Sequence, residues 1–392
     1  MRKIILFFLL VLSNYVYSQS DPNKTLQALF EENKFQEVIS EKNKYNEDEF
    51  DDKTLYEIGR SFFYLEDFNS AMSYFEKAYL KDPEFAAITY YIGLCYLFMN
   101  NENKALEKFN EAIAISENKQ FYIIEKIALL DETNRKEEAF ALADSIYKAD
   151  TALYTKGYFY LAKLYLLEKN DSKTALEILN EGKSKKDTEN DFYLSILDMI
   201  GILEAEDKNY TVSNENLIEL IKLDSTIYKA YPYIIRNYFA LGNHDDASPY
   251  RKILYDAYEK GLLTDIKGLR KEYRFDEFKW KNYDVLAYET FAFPDPEKEY
   301  PFYKQTYYVY RENSDSLEFT IQTELLFGTG GDVEPIYVLG KSLRKDGVYY
   351  HATYGTLNFK EPVDYKKLKE GVLKVLNEEV SPTSSSTKKI NK

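Results

Sequence analysis

Small and aromatic residues recur along the N-terminal two thirds of the chain at a fixed spacing of 34 positions. Gly59 precedes Gly93 by this interval, and Phe75 precedes Phe109 by the same interval. The spacing also relates Phe62 to Tyr96, Ala71 to Ala105 and Ala139, and Ala78 to Ala112. Polar clusters interrupt the apolar runs between these positions. The pattern predicts stacked helix–turn–helix repeats, because each repeat can bury its apolar face only against a neighbour.

The best-formed repeat, at residues 55–83, resembles a tetratricopeptide repeat. It has that family's order of a small residue, an aromatic, then alanine, aromatic, alanine and proline. These residues are Gly59, Phe62, Ala71, Phe75, Ala78 and Pro83. Weaker copies extend the pattern, giving about seven repeats over residues 19–260. The resemblance implies a mainly α-helical solenoid whose first helices line a concave groove that binds a protein or peptide segment.

The groove positions implied by this resemblance are largely apolar and include one arginine. They are Tyr56, Arg60, Phe63, Tyr90, Leu94, Leu97, Phe121 and Ile124. Solvated positions should be polar unless they bind something, so this stripe indicates a docking site for an extended or helical segment. The alternative is that these side chains pack within the repeats or are covered by another part of the chain.

The pattern changes after the repeats. Residues 261–283 are charged with helical periodicity, which predicts a helical segment that closes the array. Residues 284–380 are predicted to form a small antiparallel sheet with a C-terminal helix, an α+β module that resembles no family known to us. The predicted strands are residues 284–291, 302–311, 317–327, 335–343 and 347–354, and the helix begins at Tyr365. The Ser/Thr-rich residues 381–392 are predicted to be disordered.

The first 18 residues are typical of a secretory signal peptide. Arg2 and Lys3 precede nine apolar residues, and a more polar stretch ends at Ser18, where cleavage is expected. Nine residues are too few for the ~20 that span a bilayer. No later stretch is long and apolar enough to cross a membrane. We therefore expect export, to the periplasm or cell envelope of a diderm bacterium or into the medium.

Composition excludes several classes of protein. The formal net charge is −15, and removal of the signal peptide would make it about −17, which argues against nucleic acids and anionic membranes as partners. A single cysteine, Cys95, excludes an internal disulfide framework, and two histidines are too few for a histidine-rich metal site. We expect no metal and no cofactor. The glycine-containing stretches at residues 328–332 and 340–342 lack the spacing of a phosphate-binding loop.

No catalytic constellation is visible in the sequence. His351 has no serine or cysteine that the sequence can associate with it, and Glu318 and Glu324 are predicted to lie on a solvated strand face. The predicted function is therefore a non-enzymatic, protein-binding scaffold. Two alternatives stay open: a glycan-binding envelope protein, suggested by the 38 tyrosines, and a catalytic C-terminal module that the repeats target.

Overall fold

The protein is described by a computed structural model. The described residues are 21–149, 154–185, 191–264, 266, 269, 272–290, 304–326, 336–345, 348–357 and 364–378. The predicted signal peptide and C-terminal tail lie outside them. The chain divides into two compact units, Met1–Lys185 (unit 1) and Lys186–Lys392 (unit 2). Within the described residues, no helix is long and apolar enough to cross a membrane.

Unit 1 consists of consecutive antiparallel helix pairs. Its described helices are α1 (Pro22–Glu31), α2 (Phe35–Glu41), α3 (Asp52–Tyr64), α4 (Phe68–Lys81), α5 (Ala86–Phe98), α6 (Glu102–Ile115), α7 (Lys119–Glu132), α8 (Lys136–Lys148), α9 (Thr155–Lys169) and α10 (Ser172–Ser184). Each odd-numbered helix pairs with the next, as the 34-residue spacing predicts.

Local chemistry explains where these helices begin and end. The side chains of Asp51 and Asp67 accept hydrogen bonds from backbone N–H groups in the first turns of α3 and α4, which satisfies donors that a helix leaves unpaired. The turn within a pair needs a residue with positive φ, and Asn100 and Asn134 supply it. Asparagine tolerates the left-handed region better than most residues. The polar clusters between apolar runs are therefore turns with defined backbone geometry.

Unit 2 combines four helices, a sheet and a final helix. The elements are α11 (Asp191–Glu206), α12 (Tyr210–Leu223), α13 (Tyr231–Ala240), α14 (His244–Glu259), β1 (Glu272–Trp280), β2 (Tyr283–Thr290), β3 (Gln305–Arg311), β4 (Leu317–Leu326), β5 (Ile336–Lys345), β6 (Val348–Leu357) and α15 (Tyr365–Leu376). The six strands form an antiparallel meander in sequence order. The strands predicted between residues 284 and 354, and the C-terminal helix, are confirmed with shifted ends.

The helices and the sheet of unit 2 share one hydrophobic core. Leu217 and Leu254 from the helices belong to the same buried cluster as Val309 from β3 and Leu368 from α15. Two of the seven predicted repeats thus lie in the same compact unit as the sheet. The sequence predicted instead a boundary between a repeat domain and an α+β module near residue 260.

The predicted closing helical segment over residues 261–283 is wrong in its second half, because Glu272–Trp280 is the first strand of the sheet. Its charged residues suggested an exposed helix, but Tyr273 and Phe275 are both buried in the core of unit 2. Pairing with β2 supplies the hydrogen-bond partners of this strand. Such pairing can override the local preference of a sequence, because strand propensity depends strongly on context.

Candidate partner-binding groove

The predicted groove residues lie on α3, α5 and α7, and we call the face that carries them the groove surface. Arg60 is its central cation. The Cζ atom of Arg60 lies 4.7 Å from the ring centroid of Phe30 and 5.3–5.4 Å from three tyrosine rings. Those rings belong to Tyr56, Tyr64 and Tyr91. Arginine stacks well on aromatic faces, so this guanidinium is held in place by its neighbours.

Arg60 makes its side-chain hydrogen bond with a hydroxyl group. Its Nη2 donates to the Tyr64 hydroxyl at 2.7 Å, whereas its buried Nε has no acceptor. No carboxylate in the described part of the chain forms an ion pair with it. Burial raises the pKa of Tyr64, but hydrogen bonds with Tyr91 and Arg60 outweigh burial and lower it. The site therefore has an unused donor, the Nε of Arg60.

A second aromatic cluster surrounds Tyr90. Its ring centroid lies 5.7 Å from that of Phe121 and 5.6 Å from that of Tyr122. The Tyr90 hydroxyl donates to Glu125 at 3.0 Å, and Lys156 from α9 pairs with the same carboxylate at 2.7 Å. Burial, and then the charge of Glu125, raise the pKa of Tyr90. This part of the groove surface is thus neutralised by its own residues.

The predicted groove residues differ in how much surface they offer. Tyr56 and Ile124 are buried, and the Tyr56 ring packs against Phe75 and Phe85. These two residues hold the repeats together and provide little contact area. Phe121 is 40% exposed. The remaining five, Arg60, Phe63, Tyr90, Leu94 and Leu97, are half-buried.

An apolar edge that was not predicted from the sequence lies beside the groove surface. It consists of Tyr64, Leu65, Phe98 and Met99, which are exposed at the ends of α3 and α5. The Phe98 side chain is 54% exposed, and its ring lies 5.5 Å from that of Phe63. The sequence did contain a signal for this edge, namely large apolar side chains at the ends of two successive first helices. Clustered exposed apolar groups of this kind mark interaction surfaces more often than isolated ones do.

The structure brings His351 together with Ser342 and Glu324. His351 Nδ1 lies 2.8 Å from Ser342 Oγ, and His351 Nε2 lies 3.2 Å from Glu324 Oε2. The three residues come from β6, β5 and β4, which the sequence could not place side by side. Glu324 is also bound by Gln322 at 2.9 Å. It is therefore part of a hydrogen-bonded network, and the prediction of a solvated charge is wrong.

Gly340 makes this network possible. A Cβ atom at this position would lie 2.5 Å from Cδ of Glu324 and 2.7 Å from Cε1 of His351. The acid–histidine–serine order could transfer a proton. However, Ser342 is only 2% exposed. It also lies on a strand paired on both sides, so neighbouring N–H groups are engaged in the sheet and cannot form an oxyanion hole.

The other candidate sites are possible metal ligands, the glycine-containing stretches and the tyrosines of the sheet. Within the described residues, no three histidine, cysteine or acidic side chains are grouped so as to hold a metal. The glycine-containing stretch at residues 328–332 lies outside those residues, and Gly340 and Ser342 belong to a strand, as expected. Tyr288 and Tyr308 lie edge to face at 5.6 Å and are half-buried, whereas Tyr307 is buried in the core. Only some of the tyrosines thus remain accessible for a glycan.

Comparison with known proteins finds repeat proteins among the solved structures. No family model matches the chain, and no curated protein matches it. The PilF protein of Pseudomonas aeruginosa is 16% identical with a TM-score of 0.43, covering 53% of this chain and 92% of PilF. PilW, a type IV pilus biogenesis factor, is 13% identical with a TM-score of 0.42, and the match covers 55% of this chain and 96% of PilW. A tetratricopeptide repeat protein from Parabacteroides merdae is 16% identical with a TM-score of 0.38, and the match covers 53% of this chain and 79% of that protein.

Proposed function

We propose that this protein is an exported, non-enzymatic scaffold that binds a segment of a partner protein on the groove surface of unit 1. The observation that carries the proposal is the environment of Arg60. Arg60 is a half-buried guanidinium without an ion-pair partner among the described residues, and Phe98 and Phe121 are exposed on or beside the same groove surface. This arrangement suits a segment that presents a carboxylate between apolar side chains. Arg60 would bind the acidic group, because a charge-assisted hydrogen bond is stronger than a neutral one.

The aromatic rings around Arg60 would favour binding through preorganisation. Four rings hold the guanidinium before a partner arrives, so little side-chain entropy is lost on association. Phe63, Phe98 and Phe121 would supply the apolar contacts. Interfaces often depend on a few aromatic and arginine anchors of this kind. The inward-facing Tyr56 and Ile124 would act only by keeping the helices in position.

Site-specific photocrosslinking in intact cells tests this proposal. A photoreactive phenylalanine analogue at Phe98 or Phe121 should capture one protein through one segment, identified by mass spectrometry. The matched control is the same analogue at Leu80, which is 82% exposed on α4. Equal capture from position 80 would contradict a specific groove.

The captured segment, made as a synthetic peptide, allows a quantitative test. We expect Arg60→Gln to weaken peptide binding about 10- to 100-fold in calorimetry, the range expected for loss of a charged contact. Leu80→Ala should leave the dissociation constant unchanged. A peptide that binds Arg60→Gln as tightly as the parent protein would exclude the role of Arg60.

Export has its own test. Positively charged Arg2 and Lys3 before nine apolar residues support a cleaved signal. N-terminal sequencing of protein isolated from its native cells should begin at Gln19. A mature protein that begins at Met1, or one found only in the cytoplasmic fraction, would contradict export without affecting the groove proposal.

A further inference from the structure

Two arginines of unit 2 meet at a single carboxylate, in a place that the groove proposal does not use. Arg236 lies on α13, and Arg274 and Glu277 lie on β1. Glu277 Oε2 is 3.2 Å from Nη1 of Arg274 and 3.9 Å from Nη1 of Arg236. The neighbouring acidic residue, Asp276, is bound by Lys369 at 2.8 Å. The side chains of Arg236, Arg274 and Glu277, which we call the arginine cluster, thus combine two positive charges with one negative charge.

A bulge in β1 places Arg274 and Glu277 on the same face of the sheet. Residues three apart on a regular strand point to opposite faces. The register with β2 shifts between Arg274 and Asp276, and the extra residue of such a bulge re-aims the side chains beside it. Arg274 therefore pairs with Tyr288 and Glu277 with Leu286, two residues apart on β2. The bulge is what allows the arginine cluster to form.

Both guanidinium groups of the arginine cluster have unused donors. Each guanidinium carries several N–H groups, yet within the described residues neither forms a hydrogen bond. The Arg274 side chain is 35% exposed and can bond water. The Arg236 side chain is only 11% exposed, and a polar group that is largely buried without a hydrogen-bond partner is costly. An anion that contacts Arg236 would remove this cost.

The surroundings of Arg236 hold its guanidinium in place but leave its charge only weakly compensated. Its Cζ lies 4.6 Å from the ring centroid of Tyr233, a stacking contact that orients the group. Burial lowers the pKa of Arg236, and the positive charge of Arg274 lowers it further. The opposing carboxylate of Glu277 is 3.9 Å away on a side chain that is 44% exposed. The arginine cluster therefore favours an additional negative charge.

We propose that the arginine cluster is a binding site for a small oxyanion with two negative charges, either a phosphate group or a dicarboxylate. Arg236 and Arg274 would both donate to it, because guanidinium groups match the oxygen atoms of phosphates and carboxylates. Glu277 would turn towards solvent, so its carboxylate occupies the place of the ligand in the free protein. A dianion balances both arginines, whereas Glu277 balances one. The site lies in unit 2 and does not depend on partner binding in unit 1.

Calorimetry with the mature protein at pH 8 and low ionic strength tests the proposal. The probes are inorganic phosphate, succinate and acetate. Phosphate or succinate should bind, and acetate, which has a single charge, should bind about tenfold more weakly or less. Tighter binding of phosphate would identify a phosphate group as the ligand, and tighter binding of succinate would identify a dicarboxylate. Binding of none of the three, or of acetate as tightly as the dianions, would overturn the proposal.

Three variants locate the binding. Arg236→Gln should weaken binding of the preferred dianion about tenfold or more, the loss expected for a charged donor. Arg311→Gln removes an exposed arginine that pairs with Glu318 on the same sheet, and it should leave the affinity unchanged. Glu277→Gln removes the internal competitor and should strengthen binding about two- to fivefold, a gain that a folding defect could not produce. Unchanged affinity in Arg236→Gln, or no gain in Glu277→Gln, would exclude the arginine cluster as the site.

Discussion

Gly59 in α3 faces Phe75 in α4 so closely that a Cβ atom on the glycine would lie 2.6 Å from Cε1 of the phenyl ring. The next repeat has the same relationship, because a Cβ on Gly93 would lie 2.6 Å from Cδ1 of Phe109. Both phenylalanines are buried. The small residue and the ring are thus one packing unit, which explains why both recur with the 34-residue spacing.

Gly59→Ala should destabilise unit 1. Overpacking costs roughly 1–3 kcal/mol, and the better helix propensity of alanine returns at most about 1 kcal/mol. We expect a net loss of about 1–2 kcal/mol in the free energy of unfolding, measured by urea denaturation. In a Phe75→Leu background, Gly59→Ala should lower the unfolding free energy by less, because the smaller leucine side chain leaves room for the methyl group of the alanine. Ser73→Ala, at an exposed site in α4, is the control. Equal costs in the two backgrounds would contradict direct packing.

This pair also shows what the sequence could predict. The repeat spacing revealed which small and large residues meet, because neighbouring helices are also close in sequence. It did not predict β1, because the charged residues of that segment suggested a helix, whereas Tyr273 and Phe275 are buried in the core of unit 2. Apolar residues of the unit 2 helices, such as Leu217 and Leu254, share one buried cluster with Val309 of β3, and no local pattern predicts that packing.

The buried Glu289 network should dominate the stability of unit 2. Its carboxylate binds Arg251, Tyr255, Tyr273, Gln305 and Tyr365, which links α14, three strands and α15. Glu289→Gln leaves the buried Arg251 without a counter-charge. Such a loss typically costs about 3–5 kcal/mol, measurable by denaturant unfolding. Glu318→Gln breaks only the surface pair with Arg311 and should cost about 1 kcal/mol or less. Similar losses in the two variants would contradict the importance of the network.

The Glu289 carboxylate should make the free energy of unfolding depend on pH. Burial alone would raise the pKa of Glu289, but Arg251 and the bound hydroxyls outweigh burial and lower it. The pKa of Glu289 in the folded protein is below the unfolded value of about 4.3. The ionised carboxylate therefore contributes its full share of the unfolding free energy above about pH 4.3. This contribution is lost as pH falls through the folded pKa. Unfolding free energies measured from pH 6 to pH 3 should fall less steeply for Glu289→Gln. Parallel curves would exclude Glu289 as a source of this dependence.

Cys95 should be inert in the folded protein. It is fully buried in α5, and burial raises the pKa of its thiol to about 12. Reaction with a thiol reagent at pH 8 should therefore require opening of the repeat and be slowed about 100-fold or more. Leu80→Cys in a Cys95→Ala background provides an exposed thiol as the reference. Equal labelling rates for the two cysteines would show that Cys95 is accessible.

Ser342 should not act as a nucleophile, although His351 binds it. A fluorophosphonate probe, which labels activated serines, should not modify the mature protein. Ser342→Ala is the control that identifies the site if labelling occurs. Labelling of the parent protein that disappears in Ser342→Ala would favour the catalytic alternative for the C-terminal region over the scaffold proposal.

The surroundings of Arg60 could be predicted from the sequence only in part. The 34-residue spacing assigned the predicted groove residues to three helices that are present in the structure. Tyr56 and Tyr64 are four residues from Arg60, so their contact could have been expected on a helix. Phe30 and Tyr91 come from other helices and could not. Burial of Ile124 and Tyr56 depends on the neighbouring repeats, so only the structure separates packing residues from accessible ones.

The shared core of unit 2 limits how this protein can change in length. In unit 1 each helix pair packs against pairs like itself, so an extra copy of a 34-residue repeat would meet a suitable neighbour on both sides. In unit 2 the helices pack on a sheet, and an extra repeat there would present a face that the strands do not match. Duplications and deletions should therefore be tolerated before Lys185 and selected against between Asp191 and Glu259.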